Sequence, residues 1–145
     1  MTAIQNTARA TKRLKLVVTN AETQVEEEWQ GHVQGVELPV PQQTTTRFGD
    51  GNSVSEAGVD QKAIVKLAQD TDNEASPWRF MRKNAGKKAT LIVWPHYDGT
   101  YAETVVVTLA KPPLNTDVTV AGPIIHTVTM DCDGEPVEYT GPAEG

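Results

Sequence analysis

The chain has 145 residues, 38% of them apolar and 22% charged, with 13 basic against 19 acidic side chains and a net charge of −6. This suits one domain with a real core, burying roughly 68–70% of its unfolded surface. It excludes a disordered polyelectrolyte. It also excludes a helical membrane span, which needs ~20 apolar residues in a row against a longest run here of about four.

Residues 1–13 have no period and read as a flexible N-terminal arm. Met1–Asn6 carries no apolar signal region, so no secretory leader is expected. Leu14, Leu16 and Val18 alternate with Lys15, Val17 and Thr19, which predicts a half-buried strand. After a turn at Asn20–Glu22, Val25, Glu27 and Trp29 alternate with Gln24, Glu26 and Glu28. Three consecutive glutamates mark an outward or edge strand. Val36, Leu38 and Val40 predict another, and Pro39 and Pro41 deny it ladder donors, so it is an edge.

Residues 42–60 carry little apolar content, and loops of more than ~12–15 residues in a compact domain are usually functional or disordered. Gly49-Asp50-Gly51-Asn52 is a turn signal at its centre, flanked by threonines and Val54. The segment reads as a hairpin arm or a loop that orders against a partner. Ala63–Gln69 predicts a strand. Ser76-Pro77 then starts a helix, with serine as N-cap and proline at the first helical position. Trp78, Met81 and Ala85 share one face over 76–85, and Gly86 is a suitable terminator.

Lys88–Pro95 and Tyr101–Ala110 predict a strand pair across His96–Thr100, with Asp98-Gly99 as the hairpin signal. The second strand is apolar on both faces at its centre, so it is expected to be central. Val118 and Val120 predict a further strand, bent at Gly122-Pro123 and continued by Ile124–Met130. Asp131–Glu135 reads as a turn, with Val137 and Tyr139 returning as a last short strand, and residues 141–145 as a loose tail. The total is mainly β: a sandwich or barrel of about seven or eight strands with one short flanking helix, spanning residues 14–140 as one domain. The expected core includes Leu16, Val65, Leu67, Trp78, Met81, Ile92, Val107, Leu109 and Val128.

Chemistry is sparse. There is no phosphate-binding glycine loop, no nucleophile elbow and no His-Glu-x-x-His pair. Asp131–Glu135 lacks the ligand spacing of a calcium loop. The single cysteine, Cys132, allows no intrachain disulfide and suggests a reducing compartment. Its acidic neighbours raise a thiol pKa rather than activate it, which argues against a nucleophile assisted by His126 and Asp131. His32, His96 and His126 do not cluster, so no metal or other cofactor is expected. Trp29, Trp78 and Trp94 read as core or subunit contacts rather than a carbohydrate platform. The reading is of a protein without catalytic residues.

Charge is segregated. Arg9, Lys12, Arg13 and Lys15 stand in a stretch without acids. Arg79, Arg82, Lys83, Lys87 and Lys88 form a second basic block. From Pro112 onward there are six acids and no base. Solvated faces explain this blandly. Complementary surfaces of a self-assembling protein explain it more sharply. An acidic chain is poorly suited to hold DNA by counterion release.

One order of features is familiar. A strand ending Lys66-Leu67-Ala68-Gln69-Asp70 runs into Ser76-Pro77-Trp78-Arg79-Phe80-Met81-Arg82-Lys83-Asn84-Ala85-Gly86. The pair 89–95 and 102–109 follows, then Val128-Thr129-Met130-Asp131-Cys132-Asp133-Gly134-Glu135-Pro136. Over about residues 59–140 this resembles the major tail tube proteins of siphovirus-type, long-tailed bacteriophages. The resemblance implies β-sandwich subunits in homohexameric rings, inner sheets joined into a barrel, and rings stacked into a hollow tube. It implies a virion tail protein made in the bacterial cytoplasm, with tail terminator, tape measure and tail-tip partners. DNA would pass without specific binding, and no membrane is involved. The long loop would reach the next ring through Arg47, Phe48, Asp50 and Val54, and Arg9, Lys12 and Arg13 of the arm are second contact candidates. Glu26, Glu28 and Glu37 are candidates for an acidic lumen that does not retain phosphates. The alternatives are a capsid decoration protein, a tail terminator or, more remotely, a ligand-binding module.

Overall fold

Alternation selects the buried face of each strand, and register aligns those faces across the sheet. The computed structural model describes residues 2–42, 44–56 and 60–141. Its strands are β1 (Lys15–Asn20), β2 (Glu26–Glu28), β3 (Val33–Glu37), β4 (Thr44–Arg47), β5 (Ser53–Glu56), β6 (Lys62–Ala68), β7 (Lys88–Trp94), β8 (Glu103–Thr108) and β9 (Ile125–Glu138). One helix, α1, spans Pro77–Lys83. Seven strands form one antiparallel sheet in the order β2-β1-β7-β8-β9-β6-β3, and β4 and β5 form a separate two-stranded sheet. The architecture is the expected mainly β fold with one short helix, realised as a curled half-barrel.

Connectivity shows why the sheet curls. The edge strands β2 and β3 are consecutive in sequence, joined only by Trp29 and a 3-10 turn at Gln30–His32. From Glu28 to Val33 the chain spans at most about 18 Å, so the two edges of a seven-stranded sheet must approach one another. The strands are also staggered. The row through Glu28, Val17, Ile92 and Thr104 meets β9 at Val137. The row through Gly35 and Lys66 meets it at Thr127, ten residues away (137 − 127). Tilt and stagger of this kind accompany closure of a sheet toward a barrel.

The concave face holds the core. Leu16 and Val18, Ala63, Val65 and Leu67, Ala89 and Leu91, Val105 and Val107, and Val128 and Met130 join Leu109, Trp78 and Met81 in one cluster. Ile92 is buried as well, on the opposite face, with Val17, Trp94 and Ala102. Each full burial of a leucine or methionine here contributes about 1.5–3 kcal/mol. β8 is the fourth of the seven strands, the central place expected from its apolar core.

α1 begins as its sequence dictates. The Ser76 Oγ accepts from the Arg79 N–H at 3.2 Å and donates to the Asp70 carbonyl at 2.7 Å, and Pro77 occupies the first turn. The helix is shorter than the 76–85 expected. It stops at Asn84, whose side chain and backbone N–H both donate to the Phe80 carbonyl. Gly86 adopts φ +87°, then donates to the Leu109 carbonyl.

Three sequence expectations need correction. Residues 117–120 form a turn, not a strand: the Asp117 carboxylate accepts from both the N–H and the hydroxyl of Thr119, leaving Val118 96% exposed. Asp131–Glu135 does not reverse the chain. Gly134, at φ +86°, sits inside the continuous β9, where four steps of β9 oppose two of β8. This is a β-bulge, so Val137 extends β9 rather than starting a new strand. The expected strand at Val25–Trp29 is only three residues long, because Val25 stays in the turn and Trp29 leaves the strand to become buried. Of the expected tail, residues 142–145 lie outside the described residues, as do 43 and 57–59 of the long loop.

Candidate functional site

The 42–60 segment contains the hairpin its turn signal predicts. Thr46 pairs with Val54 and Arg47 with Ser53. At the tip the Phe48 N–H donates to the Asn52 carbonyl at 2.9 Å, and Asp50 accepts from the backbone and side-chain amides of Asn52 at 3.0 and 2.9 Å. Gly51 supplies the left-handed residue at φ +87°. This hairpin is outside the seven-stranded sheet. Phe48 and Val54 are 55% and 50% exposed. A two-stranded hairpin is marginally stable alone in water, so its apolar tip has most to gain from a surface to pack on.

The N-terminal arm lies against the β7–β8 connection. Arg9 pairs with Asp98 at 3.0 Å, and this guanidinium holds the Asp98 carboxyl below the usual carboxylate range. The Tyr97 N–H donates to the Arg13 carbonyl at 2.8 Å, and the Arg13 guanidinium lies 4.3 Å from the Tyr97 ring centroid. Arg9, Lys12, Arg13, His96, Tyr97 and Asp98 line an open cleft of about 480 Å³. The arm's three candidate contact residues therefore share one cationic, partly aromatic surface. They are separate in sequence from the hairpin candidates Arg47, Phe48, Asp50 and Val54.

Register places the three candidate glutamates on one face. Glu28 shares its row with Val17 and Glu26 with Thr19, on the face opposite the core, and Glu37 pairs with Ile64 on that same face. All three are exposed. They occupy opposite edges, β2 and β3. Between them the face presents Thr90, Thr104, Thr108, Thr127 and Thr129. Its lysines are mostly engaged. Lys62 pairs with Asp131 and with Asp60, Lys88 contacts Asp133 at 2.8 Å, and the buried Lys15 lies 3.9 Å from Glu28. The Asp131 and Asp60 bonds raise the Lys62 pKa.

Both sheet edges are guarded. β2 offers three residues, all glutamate, and β3 is followed by Pro39 and Pro41. Short, charged and proline-flanked edges resist pairing with another chain.

The remaining chemical candidates are dispersed. The His126 ring bonds Gln69 at 2.8 Å. It lies six residues along β9 from Cys132, about 20 Å at strand rise, and Asp131 projects from the opposite face to Cys132. Burial first, then Asp131 and Asp133, push the Cys132 thiol pKa up. The His32 ring bonds Asp70 at 2.9 Å. Among the described residues, no group of three or more His, Cys, Asp or Glu side chains is placed to hold a metal ion.

Two surfaces escaped sequence reasoning. One is the long 109–124 connection. It is pinned by Trp78 Nε1 to the Pro113 carbonyl at 3.1 Å, Arg82 to the Pro112 carbonyl at 2.7 Å and Gln69 to the Asn115 carbonyl at 3.0 Å. It leaves Leu114, Val118 and Val120 exposed. The other is an acidic rim: Glu103 and Glu138 meet across the β8–β9 register, and Glu135 stands in the β9 bulge three residues before Glu138.

No protein-family model matches the chain, and no curated protein matches it. Among solved structures it is similar to the sheath/tube terminator of an extracellular contractile injection system, PVC, in its extended state. The identity is 16%, the match covers 94% of this chain and 99% of that one, and the TM-score is 0.49. A likeness this distant carries no argument about function.

Proposed function

We propose that this chain is a non-catalytic structural subunit of a phage tail tube, stacking as hexameric rings into a hollow conduit for DNA. The observation that carries the reading is the β4–β5 hairpin. It is built by its own turn chemistry, stands apart from the main sheet, and exposes Phe48 and Val54 beside Arg47. Such an element is suited to pack on a neighbouring ring, as the sequence resemblance implies. The threonine-rich open face, with Glu26, Glu28 and Glu37 on it and Lys62 and Lys88 tied to aspartates, suits a lumen wall. Phosphates sliding past meet few free cations there. Terminator, tape-measure and tail-tip proteins are the partners of this reading, and the virion tail is its location.

A second reading is a tail terminator ring that does not propagate. The guarded edges of β2 and β3 bear on both readings alike, because strand pairing would join subunits within a ring. Deleting residues 42–60 tests both readings by sedimentation and circular dichroism. The tube reading expects an intact β spectrum with loss of long assemblies. Long tubes from the deletion variant would refute the hairpin's role. Discrete rings from both the wild type and the variant would favour the terminator.

A further inference from the structure

The cationic cleft and the acidic rim flank the same connection between β7 and β8. On one side stand Arg9, Lys12, Arg13 and His96 around Tyr97. On the other, Glu103 pairs in register with Glu138, and the Tyr139 N–H donates to the Ala102 carbonyl at 2.8 Å. The Tyr101 hydroxyl donates to Glu103 at 2.6 Å. Tyr101 is 51% exposed and lies beside these carboxylates.

The two patches do not satisfy each other. Arg9 reaches Asp98, but among the described residues Lys12 and Arg13 have no carboxylate within 4 Å, and Glu103, Glu135 and Glu138 have no basic partner within 4 Å. The rim sets the exposed Tyr101 beside carboxylates, and the cleft sets the half-buried Tyr97 among cations, its one carboxylate, Asp98, taken up by Arg9. Apolar contact with a charged rim is the common anatomy of a protein interface, and opposite potentials set its register.

We infer that the cleft's occupant is a second copy of this chain. The rim formed by Glu103, Glu135 and Glu138, with Tyr101, enters the cleft formed by Lys12, Arg13, His96 and Tyr97. Used head to tail, this contact joins copies through different surfaces on each, the arrangement that forms a ring when its rotation closes. It also bypasses the guarded strand edges, which need not pair. The inference rests on the self-assembly reading and names the lateral contact, whereas the hairpin serves the axial one.

The test is a reciprocal charge swap at exposed positions. One variant carries Lys12→Glu and Arg13→Glu, the other Glu135→Lys and Glu138→Lys. Each alone sets like charge against like at the contact. In an equimolar mixture, every cleft finds a rim of opposite sign. Sedimentation velocity and a fluorescence titration of one variant into the other read the outcome. The expected result is variants that are folded but self-associate at least tenfold more weakly than wild type, and a mixture that recovers wild-type affinity. Raising salt should weaken the mixture's association. Wild-type assembly combined with a mixture no tighter than either variant alone overturns the contact and leaves the tube reading standing. A wild type that builds no rings, combined with variants that still bind each other tenfold more tightly than themselves, overturns the tube reading and upholds the contact.

Discussion

Replacing Trp29 with alanine should be among the most damaging substitutions in the molecule, because Trp29 closes the seam between the two sheet edges. It is 1% exposed, its backbone N–H, which alanine keeps, donates to the Leu16 carbonyl at 2.8 Å, and its ring meets Phe80 of α1 edge-on at 5.7 Å. A buried tryptophan removes about 150–250 Å² from water. At about 25 cal/mol/Å² that is roughly 4–6 kcal/mol, of which alanine recovers a small part. The expected loss is therefore about 3–5 kcal/mol, the usual range for a large aromatic cut to alanine in a core. Against a total stability of about 5–15 kcal/mol this is a large fraction. Urea unfolding, followed by the fluorescence of Trp78 and Trp94, should show a midpoint lower by roughly 2 M for an m-value near 2 kcal/mol/M. A double-mutant cycle with Phe80→Ala should return a coupling of about 1 kcal/mol from the edge-on pair. A loss below about 1 kcal/mol for Trp29→Ala at unchanged m would show that the seam does not depend on this side chain.

Other substitutions probe separate links. Ser76→Ala removes the α1 cap and the bond to the Asp70 carbonyl, and should cost about 1–2 kcal/mol in chemical denaturation; no change would mean that Pro77 alone fixes the helix start. The Asp70 pKa is held down, chiefly by the His32 bond and also by the backbone N–H groups of Asn73 and Asp72. Its stabilisation is therefore present above its ordinary pKa of 3.8 and is lost as pH falls through the lower folded value. Asp70→Asn should flatten the acid limb of the thermal midpoint below that pH, and an unaltered limb would refute the linkage. Glu26→Lys should leave stability within about 0.5 kcal/mol, as expected for an exposed site. Glu28→Lys brings a second ammonium to the buried Lys15 and should cost more than about 1 kcal/mol. If the open face lines a lumen, Glu26→Lys should also slow genome delivery in an infectivity assay; equal infectivity would remove Glu26 from the conducting wall.

Features fixed by local chemistry were legible in the sequence. Ser76-Pro77 announces its helix because both residues act within one turn. Gly49–Asn52 announces its hairpin because the turn needs a left-handed residue and a short side-chain acceptor. The apolar alternation of Val105, Val107 and Leu109 identifies a core strand without knowledge of its neighbours. Competing local uses obscured other features. Gly134 carries the positive φ that suggested a turn, but a bulge in a continuous strand uses it equally well. Val118 and Val120 alternate like strand residues, yet the Asp117 carboxylate captures Thr119 and bends the chain. The acidic rim was invisible for a different reason. Glu103 and Glu138 are 35 residues apart (138 − 103) and meet only through the β8–β9 register. The arm residues were visible as a basic run, but their shared cleft depends on Tyr97 and Asp98 across the fold.

Negative-stain electron microscopy of the purified protein across a concentration series decides whether the chain builds a tube. A tube subunit forms hollow tubes of uniform diameter, or stacked rings, as concentration rises. Monodisperse monomers that form no rings at the highest concentration and do not add to tail-tip seeds would contradict the tube reading.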